Sequence, residues 1–119
     1  MTDAAPVAPD APIPVPSGQE VRLIEVIWNA PGPEGLTWRF RFLAPRIGQD
    51  VGYDLALGDM DHLCQTYVVP RLTATGPQPA QVVVSLSDRP VPFGQTAPEA
   101  VQFFEAYRIV EGRCIWEQF

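Results

Sequence analysis

Two cysteines, Cys64 and Cys114, and a single histidine, His62, are the side chains of this sequence best equipped for chemistry. The cysteines stand 50 positions apart and each falls at an apolar position of a recognisable element. A disulfide between them would close a long loop and restrict the unfolded chain. Two buried free thiols would act as small apolar side chains instead. A redox or metal pair needs spacing such as C-x-x-C, or further ligands in reach, and the sequence offers neither. His62 lies beside Asp59 and Asp61, and Ser85, Ser87 and Asp88 lie further along. No G-x-S-x-G turn frames either serine as a nucleophile. The Asp59, Asp61 and His62 group has the composition of a metal site, but a helix start explains it more simply. Asp59 would cap the first turn and Asp61 would face the positive end of the helix dipole.

Arginines 22, 39 and 41 could form an anion-binding face, or a solvated sheet face paired in part with Glu25. Asp88 and Arg89 sit on a proline-bounded loop, which suits either recognition or a turn that bonds to itself. Asp88, Arg89 and His62 are therefore the candidate recognition surface. The sequence assigns no catalytic residue, no cofactor-binding residue and no metal ligand.

The elements that position these groups are legible from period and punctuation. Residues 21–29 are rich in β-branched side chains and read as a strand. After a Pro/Gly loop at 31–35, Leu36, Trp38, Phe40 and Phe42 alternate with Thr37, Arg39 and Arg41, a half-buried strand. From Asp59, the apolar positions Met60, Leu63, Cys64, Tyr67 and Val68 recur at helical spacing. Pro70 should end or kink that helix near Val69. Residues 80–86 (AQVVVSL) suit a strand buried on both faces. Thr96 and Glu99 have capping-box spacing, which predicts a short helical turn. A strand from about Gln102 then turns at Glu111-Gly112 into residues 113–119. A two-residue turn sets Val110 opposite Arg113, Ile109 opposite Cys114 and Tyr107 opposite Trp116. The last two pairs share one apolar face, so Cys114 and Cys64 both point to the core. The expected fold is α+β: an antiparallel sheet of about five strands, with one main helix packed on one face.

Residues 1–17 carry five prolines among alanines and predict an extended, solvated leader. The globular domain is then 18–119. The start as written lacks the charged and apolar regions of an export signal. The net charge is −6, and all eight basic residues are arginine. An acidic chain with no basic stripe in its sequence is a poor match for nucleic acid or anionic membrane. No apolar run is long enough for a transmembrane segment.

The segment from Pro77 to Phe119, with "DMDHLCQTYVVPRL" from Asp59 to Leu72 before it, resembles an uncharacterised alphaproteobacterial family of the Rhodobacter group, a domain of unknown function. The resemblance supplies no catalytic residue. It implies export for some members, which favours the periplasm or envelope and an oxidised Cys64–Cys114 pair; otherwise the chain is cytoplasmic. Some such sequences bear the label acetolactate synthase, yet a chain this short has no room for a thiamine-diphosphate site, and the metal-diphosphate motif is missing. The expected function is a non-enzymatic binding or accessory domain that contacts another protein, with no cofactor. The alternative is a small metabolite-binding protein or regulatory subunit with its site between helix and sheet.

Overall fold

The computed structural model describes residues 12–32, 35–72, 79–92, 95 and 97–117, with only the backbone of 28–32, 35 and 36. Five strands form one sheet in the order β1-β2-β3-β4-β5: β1 (Arg22–Gly32), β2 (Gly35–Leu43), β3 (Gln81–Ser87), β4 (Gln102–Val110) and β5 (Arg113–Glu117). The architecture is α+β. Three of the four ladders are antiparallel, whereas β2 and β3 run parallel. The expected all-antiparallel sheet is corrected at that one pairing. Its cause is the helical crossover from β2 to β3, which returns the chain to the starting end of the sheet.

That crossover is the main helix. It runs as α1 (Tyr53–Leu63), a π-helical segment Cys64–Val68, and α2 (Val69–Leu72). The helix therefore begins six residues before Asp59, after Gly52, and Asp54 is the acid of its first turn. Asp59 is not a cap: it is a helix-interior carboxylate with 0% of its surface exposed. The apolar stripe of Met60, Leu63, Cys64, Tyr67 and Val68 is buried as expected, with Ala56 one turn earlier. Pro70 does not end the helix at Val69. The wide turn before it, in which the Val69 N–H bonds to the Cys64 carbonyl, changes the local register, and two more residues follow the proline.

β3 lies in the middle of the sheet and is buried on both faces along most of its length, which matches its run of valines. The core lies between β2, β3 and β4 and the helix, with Phe40, Phe42, Val84, Leu86, Tyr107 and Leu63 at its centre. The β4–β5 hairpin has the expected register, Val110 to Arg113, Ile109 to Cys114 and Tyr107 to Trp116. Its turn residues Glu111 and Gly112 have φ of 51° and 76°, the left-handed pair that a two-residue hairpin turn requires. The apolar face expected there is graded: Tyr107 is buried, Ile109 and Cys114 pack at its margin, and Trp116 is 42% exposed. Thr96 of the expected capping box lies outside the described residues; a turn closes nearby, from the Ala100 N–H to the Ala97 carbonyl at 3.0 Å.

The packed region reaches further back than Gly18. Ile13 and Val15 are buried in the core cluster, while Pro12, Pro14 and Pro16 face solvent. The Ile13 N–H bonds to the Val21 carbonyl at 2.7 Å. The apolar alternation of Ile13 and Val15 carries this in the sequence, hidden among prolines that signal solvation. The expectation of an extended leader over residues 1–11 lies outside the described residues.

Candidate functional site

Strand alternation sorts the sheet into two unlike faces. Tyr53 of α1 stacks edge-on against Phe103, and Asp61 accepts a hydrogen bond from the Tyr107 hydroxyl at 2.6 Å. Odd-numbered β4 residues therefore face the helix, and Phe104, Ala106, Arg108 and Val110 face away. Register carries the same division across the sheet. Val83 and Ser85 of β3 point away from the helix, as do Arg39 and Arg41 of β2 and Arg113 and Ile115 of β5.

On that helix-free face Phe104 is 68% exposed, the most exposed large apolar side chain among the described residues. It borders an open cleft of ≈ 190 Å³. Val83 and Ser85 form the floor, Phe104 and Gln102 one side, and Val91 and Pro92 the other. Arg41 holds the far side in place. Arg41 is only 8% exposed, and its guanidinium donates to the Glu25 carboxylate and to the Val91 carbonyl, so it pins the loop after β3 across the face. Paired with Glu25 as expected, Arg41 is nevertheless buried, because that loop covers it.

Asp88 and Arg89 form the neck of this loop. The Asp88 carboxylate accepts the Val101 N–H at 3.1 Å, and the Asp88 N–H bonds to the Val101 carbonyl at 3.0 Å. Arg89 donates to the same carboxylate, and this hydrogen bond holds the Asp88 carboxyl below the ordinary carboxylate range. Asp88 thus spends its acceptors on the fold, while Arg89 stays exposed. His62 is in the last turn of α1, one residue from the Asp61 that meets Tyr107. Tyr107 pairs with Val82, six residues before Asp88, which puts His62 about 20 Å from Asp88 along the strand direction. The structure does not bring the three candidate recognition residues together. Ser85 lies on the face opposite the helix and Ser87 donates to the Arg89 carbonyl, so neither of these two serines is paired with His62.

On the helix side, Asp59 accepts three hydrogen bonds: the Ser17 N–H at 3.0 Å, the Ser17 hydroxyl at 2.5 Å and the Gln19 amide at 2.7 Å. It fastens the N-terminal segment to the helix. Glu105 accepts from the Tyr53 hydroxyl and from the Trp116 indole N–H, the latter at 2.6 Å. Burial first, then the bond to Asp61, raises the Tyr107 hydroxyl far above an ordinary tyrosine, so it remains a donor. Among the described residues no three His, Cys, Asp or Glu side chains gather as a metal site, and Asp59 and Asp61 are committed elsewhere.

The sulfurs of Cys64 and Cys114 lie at disulfide distance, 2.10 Å, and tie the helix to β5. Beside them the Gln65 amide accepts the Cys114 N–H at 3.1 Å and donates to the Gly112 carbonyl at 2.9 Å. It therefore bonds to the outer edge of β5 as the peptide of a neighbouring strand would.

Sequence reasoning missed the Phe104 cleft. The signal was the adjacent pair Phe103-Phe104: in a strand, two neighbouring aromatics must face opposite sides, so one of them leaves the core.

The chain belongs to a family of unknown function, DUF6497, whose model matches residues 1–119. No curated protein and no solved structure matches it. No helix among the described residues is long and apolar enough to cross a membrane.

Proposed function

We propose that this chain is a non-enzymatic binding domain that holds a segment of another protein on the helix-free face of its sheet. The observation that carries this reading is Phe104, 68% exposed in the middle of a strand and flanking a cleft. With Val110 and Ile115, 43% and 40% exposed on the same face, it adds to an apolar surface of the kind that marks contact sites. The cleft volume, ≈ 190 Å³, favours a protein partner over a whole metabolite. Small-molecule sites run at roughly 300–1,000 Å³, whereas this cleft accepts a side chain or two. The Cys64–Cys114 pair at disulfide distance supports an oxidising compartment such as the periplasm.

The test is a photoreactive residue placed at the exposed position Gln102, irradiated in cells. A discrete cross-linked species that disappears when Phe104→Ser is introduced supports the reading. Cross-links that persist unchanged in that variant, or that never form, refute it. Phe104 is largely exposed, so the substitution should leave the melting temperature nearly unchanged, and a melt controls for that.

A further inference from the structure

The charge on the same face identifies its partner's chemistry, and this step rests on the binding reading above. Arg22, Arg39, Arg41, Arg108 and Arg113 all project from the helix-free face, against Glu25 and Glu117. Five of the eight basic residues of a chain with net charge −6 therefore lie on one side of one sheet. Counting Glu20, which bonds to Arg22, arginines on the face outnumber carboxylates by two among the described residues.

Position sharpens this. Arg22 and Arg41 have carboxylate partners, Glu20 and Glu25. Arg108 and Arg113 are exposed and have no carboxylate partner among the described residues. Arg108 pairs with Ile115 and Arg113 with Val110, so the two arginines are diagonal neighbours on one face of β4 and β5, roughly 7–8 Å apart at the backbone. Like charges so close repel and gain from a shared anion. Ile115 and Val110, 40% and 43% exposed, lie between them. Along β4, Arg108 is four residues from Phe104, about 13 Å.

We infer that the partner presents an extended acidic segment: an apolar side chain enters the Phe104 cleft, and carboxylates about four residues further on meet Arg108 and Arg113. A polyphosphate fits less well, because it has no apolar side chain to enter the cleft beside Phe104 and would meet only the arginines.

The probe is a fluorescent peptide with one Phe followed four residues later by paired Glu, titrated into the full chain by anisotropy and mapped by NMR. Saturable binding that weakens with salt, with shifts centred on Val83, Ser85 and Ala106, supports the inference. Arg108→Gln and Arg113→Gln should each weaken it roughly two- to fivefold, and Phe104→Ser about tenfold or more. Equal binding of the peptide with Lys in place of Glu overturns it, as does equal or tighter binding of a single-stranded oligodeoxynucleotide. Self-association of the chain that Arg108→Gln abolishes also overturns it, since the occupant is then a second copy. If the acidic peptide fails while the Gln102 cross-link still depends on Phe104, the inference falls and the binding reading stands; if both fail, both fall.

Discussion

Replacing Asp59 with Ala should detach the N-terminal segment and leave the sheet intact. Asp59 is fully buried and accepts three hydrogen bonds from Ser17 and Gln19. Hydrogen bonds to a charged group contribute about 1.5–3 kcal/mol each when one partner is deleted. The full sum is not expected, because residues 12–20 can peel away and satisfy their donors with water. The loss is then limited to what holds that segment down: the three bonds plus burial of Ile13 and Val15, offset by the entropy of ordering the chain. A net loss of about 2–3 kcal/mol follows, enough to raise the detached population roughly 30-fold or more. Hydrogen exchange reads it directly. The Ile13 N–H, bonded to Val21, and the Gly18 N–H, bonded to Val15, should exchange much faster while β3 amides keep their protection. Asp59→Asn should cost less than Ala, since its Oδ1 can still accept the Ser17 N–H while its NH2 meets a hydroxyl and a side-chain amide that can turn to accept. Unchanged exchange at Ile13 and Gly18 would refute the reasoning, and equal acceleration in β3 would show that Asp59 holds the whole domain.

Three further outcomes are expected. Oxidised protein should be lighter than the reduced chain by the mass of two hydrogens, and Cys64→Ala with Cys114→Ala should lower stability by about 4 kcal/mol in urea titrations, from the loop of 50 residues that the pair closes. Stability should fall as pH rises above about 10, because unfolded Tyr107 ionises there while the folded hydroxyl, held far higher, does not; Tyr107→Phe should flatten that alkaline limb, by up to about 1.4 kcal/mol per pH unit, in melts run across the range. Gln65→Ala should speed exchange of the Cys114 N–H about tenfold, since that edge amide loses its acceptor.

Periodicity alone determined much of this protein. Alternation through Trp38, Phe40 and Phe42, helical spacing through Met60, Leu63 and Cys64, and the Glu111-Gly112 turn are local signals. They were enough to give the α+β class, the hairpin register and the approach of Cys64 to Cys114. What failed did so for want of non-local information. Asp59 looks like a cap because caps are short-range, and only the chain folding back from Ser17 shows that it is a buried anchor. Arg22, Arg39 and Arg41 lie far from Arg108 and Arg113 in sequence, so no basic stripe is visible there. The β2–β3 crossover and the β3–β4 ladder set all five on one face. The sequence by itself determined which side of each strand a residue takes. Tertiary structure decided which strands share that side, because strand order follows from packing the helix across the sheet, and with it whether scattered arginines and one displaced phenylalanine become a surface.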